Sequence, residues 1–323
     1  MKPVSLGIIG CGIAARELHW PALRNLKDKF EIKMVCSRTE ESAKSFSEMV
    51  GGVPYTIDYK EMLNSKEVEA VDIILPIHMN YQVILDSLKK KKHVIVEKPI
   101  ASNLSDAKKM LSFEKRFKQV MMVAENYRYH PLYRRTKGII DEGRIGELYG
   151  LFWNCFRYID RTSKYAQMEW RINHQYEGGF VTDAGIHNIA AIRMIGGEIS
   201  SGIAAIECIN PTIGRMDSMS FLFATSQHVK GVFNIYYSVN GYSEEKLLLL
   251  GTEGSIVVEN NTIIIKKKDE PDSIERIESD GGYTAEFEDF YKAIREGKAT
   301  ESPFSEAYMD LQVMLGAIES AQK

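Results

Sequence analysis

The chain has 323 residues, of which 44% are hydrophobic and 26% charged, and 41 basic against 44 acidic side chains leave a formal charge of -3. A length beyond one ordinary core predicts two domains, and the balanced composition excludes a disordered or fibrous chain. There is no overall basic field, and the lysine runs at 89–92 and 266–268 are short, which excludes nucleic acid as the partner.

No apolar run approaches the roughly 18–20 residues of a bilayer span, and Met1-Lys2-Pro3 leads directly into a short strand rather than a signal peptide. No membrane partner is therefore expected, and the cytoplasm is the expected compartment. Cys11, Cys36, Cys155 and Cys208 are far apart, with no CxxC pair and no clustered histidine. Neither a disulfide framework nor a metal site is expected.

Over residues 1–124, buried strand-like runs at 4–9, 32–36, 70–75, 93–96 and 119–124 alternate with helical patterns at 14–26, 40–49, 80–90 and 105–117. That rhythm predicts an α/β Rossmann domain, doubly wound around a mainly parallel sheet. After Asn126 longer alternating segments take over, at 148–158, 203–209, 218–224, 228–237, 246–251, 255–259 and 262–267, with helices at 183–195, 283–296 and 305–322. Residues 125–323 therefore read as an α+β domain with a large, mostly antiparallel open sheet, which binds substrate and carries oligomerisation. Its C-terminal helix has the option of packing back toward the first domain. An open sheet with one face left over is usually covered by a second copy of the chain, so a homodimer or homotetramer through that sheet is expected.

Residues 4–15, VSLGIIGCGIAA, place Gly10-x-Gly12-x-x-Ala15 where a strand ends and a helix begins. Gly10 suits the tight turn, Gly12 the close approach of backbone to a pyrophosphate, and Ala15 close helix packing. The helix start, with Ile13 and Ala14, offers unpaired N–H groups to the phosphates. The second strand ends Met34-Val35-Cys36-Ser37-Arg38-Thr39, with no acid at its tip to bond a ribose 2'-hydroxyl. Ser37 and Arg38 suit a 2'-phosphate, which favours NADP, while Glu40 and Glu41 keep NAD open. Ligands in open α/β sheets sit outside the carboxyl ends of the strands, so Pro76 and Asn80 are further cofactor candidates. His78 beside them reads as a half-exposed loop histidine.

The next strand ends in Glu97-Lys98-Pro99, and further on come Gly143-Arg144-Ile145-Gly146-Glu147, Trp170-Arg171, Gly178-Gly179 followed by Asp183-x-Gly185-x-His187, and Gly251-Thr252-Glu253-Gly254. In that order, over nearly the whole chain, these motifs resemble the Gfo/Idh/MocA family, the glucose-fructose oxidoreductase and inositol dehydrogenase group. The resemblance implies a Rossmann domain followed by a sheet domain. It also implies that Lys98 of the Glu97-Lys98-Pro99 motif contacts substrate and nicotinamide ribose, that His187 accepts the proton with Asp183 beside it, and that the bond before Pro99 is cis, which would fix the lysine's direction.

The residues support those roles on their own chemistry. Asp183 and His187 are four apart on a predicted helix and share a face. Hydride leaving an alcohol carbon requires the hydroxyl proton to leave too, and histidine accepts protons near neutrality. Lys98 suits either stabilising a developing alkoxide or lowering the histidine's proton affinity. Tyr127, Arg128, Arg157, Tyr158, Trp170 and Arg171 are further candidates for substrate contact. Two positions depart from the family pattern: Ala190 stands where many relatives carry an acid, and Asn80 where a loop histidine is common. Neither inositol nor glucose is therefore carried over as substrate.

The expected activity is hydride transfer between NADP or NAD and a secondary alcohol or carbonyl of a small-molecule sugar, polyol or sugar derivative. The alternatives are the same fold acting on a non-sugar diol, carbonyl or imine, and a non-catalytic cofactor-binding regulator.

Overall fold

The computed structural model describes residues 1–322. Strands β1 (Val4–Ile9), β2 (Phe30–Cys36), β3 (Tyr55–Thr56), β4 (Ala70–Ile73), β5 (His93–Glu97) and β6 (Met121–Ala124) alternate with helices α1 (Trp20–Asn25), α2 (Glu40–Met49), α3 (Tyr59–Asn64), α4 (Asn80–Lys89) and α5 (Leu104–Arg116). There follow α6 (Pro131–Asp141), β7 (Leu148–Phe156), α7 (Glu169–Ile172), α8 (Gly179–Gly196), β8 (Ile199–Glu207), β9 (Ser218–Thr225), β10 (Lys230–Tyr236), β11 (Glu244–Gly251), β12 (Ser255–Glu259), β13 (Thr262–Lys266), β14 (Ser273–Arg276), α9 (Tyr283–Glu296) and α10 (Phe304–Ser320). The chain divides into two compact units, one of Met1–Asn126 with Gly282–Met309 and one of Tyr127–Gly281 with the residues from Asp310 onward.

The first unit is built on six parallel strands in the order β3-β2-β1-β4-β5-β6. This is the doubly wound order, which reverses direction between β1 and β4 and opens its ligand crevice there, at the carboxyl ends of the strands. All six residues of β1 are buried, as a central strand covered on both faces requires. Between the glycine loop and α1, Ala15–His19 form a π-turn closed by the Trp20 N–H on the Ala15 carbonyl, where the sequence predicts an unbroken helix. Helix α9 joins this unit through Phe287, Phe290 and Tyr291, whose rings gather around Phe30 at 5.8, 6.5 and 5.9 Å. Burial of each such side chain contributes about 1.5–3 kcal/mol.

The second unit carries eight strands in the order β14-β13-β12-β11-β7-β10-β9-β8, antiparallel throughout except for the parallel pair β7–β10. The fold class expected from the sequence is therefore the one observed. Inward-facing Leu151, Trp153 and Cys155 alternate along β7 with outward Phe152 and Asn154, and α8 lies over the inner face, its Gly185 against Phe233 and Ile235. Helix α6 lies outside the predicted set although its start is well signalled, with Pro131 in the first turn and the His130 side chain accepting from the Leu132 N–H. Among the described residues no helix is long and apolar enough to cross a membrane, and no cluster of His, Cys, Asp or Glu has the arrangement of a metal site.

Candidate active site

In the first unit the glycine loop follows β1. Gly10 has φ +110, and a Cβ there would lie 2.0 Å from the Ile74 carbonyl oxygen, so the turn tolerates only glycine. A Cβ on Gly12 would meet nothing within 4 Å. The backbone at Gly12 thus faces open space at the start of a helix, next to half-buried Ile13 and Ala14 and buried Ala15, which fits the approach of a pyrophosphate. Arg16 closes the far side, donating to the Cys11 and Ser42 carbonyls and lying over the Phe46 ring. At the tip of β2, Ser37 is half-buried and Arg38 exposed, with no ion pair to Arg38 among the described residues. Glu40 and Glu41 occupy the first turn of α2, behind its Thr39 cap.

The loop after β4 holds half-buried Pro76 and exposed His78. Asn80 behaves differently from the cofactor contact expected of it. It is 1% exposed, and its Nδ2 donates to the carbonyls of Glu97, Pro99 and Ile100 at 3.3, 3.1 and 3.4 Å, so it brackets the turn that carries Lys98. Lys98–Pro99 is cis. On the other side of that turn, the Lys98 N–H donates to Glu97 Oε2 at 3.1 Å, and Glu97 Oε1 lies 2.8 Å from Nε2 of buried His19. Sequence reasoning did not single out His19.

In the second unit Asp183 and His187 sit one turn apart on α8, Asp183 buried and His187 half-buried. Arg171 donates to Asp183 at 2.6 Å, and its guanidinium carbon lies 4.3 Å from the centre of the Trp170 ring and 5.3 Å from that of Tyr165. The Arg171 charge is thus held by Asp183 and two aromatic faces. Burial, and then the Asp183 charge, push the neighbouring Tyr176 hydroxyl up. Tyr127 stacks on His187 with ring centres 4.9 Å apart and planes 26° from parallel. Tyr133 and Trp153 flank Tyr127 at 4.9 and 6.5 Å. With His130, Glu245 and Asn260, these three aromatic residues line a cavity of about 500 Å³.

Three of the remaining candidates have partners of their own. Arg128 is 7% exposed and gives both oxygens of Asp310 a hydrogen bond, at 2.8 and 2.7 Å, while Arg193 pairs with the same carboxylate. That cluster holds the Arg128 guanidinium at a buried carboxylate. Arg157 pairs with Glu245. Tyr158 is 53% exposed and bridges to Ser238. Tyr133 and Trp153, by contrast, were not anticipated: each is an aromatic in an ordinary helix or strand pattern, and only the tertiary fold brings it to Tyr127.

Comparison with known proteins agrees with this geometry. A family model described as oxidoreductase family, NAD-binding Rossmann fold, matches residues 4–125, and the GFO/IDH/MocA C-terminal domain matches residues 133–257. The chain belongs to the Gfo/Idh/MocA oxidoreductase family. A crystal structure of an oxidoreductase from Thermotoga maritima superposes with a TM-score of 0.94 at 36% identity, covering 99% of this chain and 97% of that one. A dehydrogenase of Fusarium mangiferae is 28% identical over 98% of this chain and 96% of its own length. The dTDP-3,4-didehydro-2,6-dideoxy-alpha-D-glucose 3-reductase of Actinomadura kijaniata is 28% identical over 64% of this chain and 60% of its own length.

Proposed function

We propose that this oxidoreductase transfers a hydride between NADP and a secondary alcohol or its carbonyl on a sugar, polyol or sugar derivative. The observation that carries the reading is the pairing, on α8, of Asp183 and half-buried His187, the latter backed by a stacked Tyr127, in a chain whose other unit has an open glycine loop at its topological switch point. The similarity to a dTDP-sugar reductase supports a sugar-derived substrate.

The residues suited to hold the dinucleotide are Gly10, Gly12, Ile13, Ala14 and Ala15 at the pyrophosphate, Ser37 and Arg38 at the adenosine ribose, and Pro76, Glu97 and Lys98 toward the nicotinamide. When bound, the nicotinamide supplies the hydride acceptor or donor. In the oxidative direction the carbinol carbon loses a hydride and its oxygen loses a proton; His187 takes that proton, and the Lys98 ammonium donates a hydrogen bond to the oxygen as charge develops on it. Tyr127 holds the imidazole plane, and Arg171 fixes the Asp183 carboxylate by donating to it. Trp170 acts through Arg171 rather than on the substrate.

Three facts support NADP over NAD: Arg38 is exposed and outside every ion pair among the described residues, Glu40 accepts from the Tyr55 hydroxyl at 3.3 Å, and both Glu40 and Glu41 complement the α2 dipole. A titration of NADPH and NADH, followed by nicotinamide fluorescence in wild type and Arg38→Ala, tests this. NADPH binding should weaken about tenfold or more in the variant, close to the loss of one charge-assisted pair, with NADH unchanged. If neither cofactor binds wild type, the reading fails at its first step. A sugar and polyol screen with the better cofactor follows, in wild type and in Lys98→Met.

The reading extends to assembly. Ile203, Leu222, Val232, Phe152, Leu248, Val257, Ile264 and Ile274 pair in register, one from each strand, as a single apolar row across the outer face of the eight-stranded sheet. Ile203, Leu222 and Ile274 are 60, 56 and 61% exposed. A continuous row of that kind supports a homodimer or homotetramer in which a second copy covers the face. The four cysteines are free thiols, which supports the cytoplasm as the compartment.

A further inference from the structure

Behind the Glu97-Lys98-Pro99 turn, inside the first unit, ionisable groups that the proposed chemistry does not use gather around Glu97. His19 ends the π-turn after the glycine loop and is 0% exposed. Its Nδ1 lies 2.8 Å from Asp72 Oδ2 on β4, and its Nε2 lies 2.8 Å from Glu97 Oε1 at the end of β5. Carboxylate oxygens at both ring nitrogens place a proton on each nitrogen, so His19 stands as an imidazolium held between two acids. Burial alone would pull its proton affinity down; Asp72 and Glu97 more than reverse this and raise it well above the ordinary histidine value.

Glu286 of α9, fully buried, feels the charges of His19, Glu97, Asp72 and of Glu125 just after β6, itself 1% exposed, and the Phe287 and Tyr283 rings lie 5.3 and 6.3 Å from His19. Removing so many ionisable groups from water is costly, and an apolar core of the same volume would be at least as stable. What the arrangement provides is a fixed orientation. Asp72 holds His19, His19 holds one oxygen of Glu97, and the other oxygen of Glu97 accepts the Lys98 N–H at 3.1 Å. From the opposite side Asn80 holds the carbonyls of Glu97, Pro99 and Ile100. The main chain at Lys98 is thus clamped on both sides of the turn, and the clamp on the acid side runs through the imidazolium.

We propose that His19 is a positioning residue for Lys98, acting through Glu97 to fix the main chain from which the lysine side chain reaches the reacting oxygen. The proposal rests on the reading of Lys98 as a substrate-contacting group. It assigns the histidine after the glycine loop to the reaction without contact with substrate or cofactor, and it gives the π-turn a purpose, since an extra residue in that turn directs His19 at the strand ends.

The test compares wild type, His19→Gln, Glu97→Gln, Lys98→Met and the double variant His19→Gln/Lys98→Met as full chains. Two readouts are used: backbone hydrogen exchange, and steady-state turnover of the sugar or polyol giving the highest rate in the screen. In His19→Gln the Lys98 amide should exchange about tenfold faster while the β1 and β4 amides keep their protection. The kcat should fall roughly 10- to 100-fold, the scale of a misplaced reacting group, with KM changed less than about threefold. In the Lys98→Met background His19→Gln should cost nothing further, because it acts through the group already removed.

Equal loosening of the whole unit with kcat unchanged would make His19 a packing residue and overturn the proposal, as would additive losses in the double variant. If His19→Gln does not fold, Glu97→Gln breaks the same link from the other end at nearly constant shape and is held to the same outcomes. Lys98→Met turning over like wild type would instead overturn the reading of Lys98. A slow Lys98→Met beside a fully active His19→Gln would overturn only the positioning role.

Discussion

The two glycines of the cofactor loop make opposite predictions under the same substitution, and the contrast isolates ligand binding from folding. At Gly12 a methyl group meets nothing within 4 Å, and the backbone is outside the left-handed region. Gly12→Ala should therefore stabilise the ligand-free chain by about 0.4–1 kcal/mol, through the reduced freedom of the unfolded state. On the proposed placement the same methyl group takes the space through which the pyrophosphate reaches the helix start, so NADPH affinity should drop at least about tenfold, or ~1.4 kcal/mol. At Gly10 the substitution places Cβ 2.0 Å from the Ile74 carbonyl oxygen at φ +110. Strain and overpacking together cost roughly 2–5 kcal/mol there, and the whole unit should lose stability with or without cofactor. Urea unfolding monitored by circular dichroism reads the stability arm, and nicotinamide fluorescence titration reads the binding arm. An NADPH dissociation constant in Gly12→Ala equal to that of wild type would refute the placement of the pyrophosphate at Gly12.

Further outcomes follow from the buried charges and the exposed sheet face. Asp310→Asn leaves the buried guanidinium groups of Arg128 and Arg193 without their shared carboxylate and should cost about 3–5 kcal/mol; a loss under about 1 kcal/mol in urea unfolding would mean that the cluster is not a structural centre. Glu286 is held neutral chiefly by burial, opposed by His19 and reinforced by Glu97, Glu125 and Asp72, which together raise its carboxyl well above the ordinary 4.5. Its folded form keeps a proton that the unfolded chain has already released, so stability is greatest below the unfolded value and falls as pH rises toward the folded one, by up to about 1.4 kcal/mol per pH unit. Glu286→Gln does not titrate, and its stability relative to wild type should grow from pH 5 to pH 8; a gap that stays constant across that range would count against a neutral Glu286. Leu222→Asp puts a charge in the apolar row, one strand in from its β8 edge, and should yield a monomer by light scattering, whereas an unchanged mass would move the subunit contact to another face.

The parallel sheet was legible because five of its six strands are short apolar runs beside helical patterns, and β1, α2 and α9 fall at the boundaries that periodicity indicates. The open sheet was legible from strict alternation, of which β7 is a good example, with Trp153 inward and Phe152 outward. Two-residue β3 and the short α7 carry too few side chains to show any period. The glycine loop and the motifs at Glu97-Lys98-Pro99 and Asp183–His187 were legible because their chemistry is local: a turn, a helix start, two side chains one turn apart.

What the sequence hides is partnership at long range. Asn80 looked like a ligand contact because it begins a helix at a strand end, yet its amide serves the Lys98 turn nearly twenty residues away. Arg128 looked available because its partner, Asp310, lies 182 positions along the chain. Glu97 stands in a motif, but His19, Asp72, Glu125 and Glu286 share no spacing with it or with one another, and each alone reads as an ordinary polar residue in a helix, strand or loop. A buried imidazolium exists only when acids from separate elements arrive at both of its nitrogens, and that is fixed by strand order: β4 and β5 are neighbours in the sheet, so Asp72 and Glu97 come to adjacent strand ends within reach of the turn that follows β1. The same topology that opens the cofactor crevice at the carboxyl ends also brings these charges together, which is why His19, Asp72 and Asn80, the partners that support the Lys98 turn through and around Glu97, follow from the fold rather than from the motif itself.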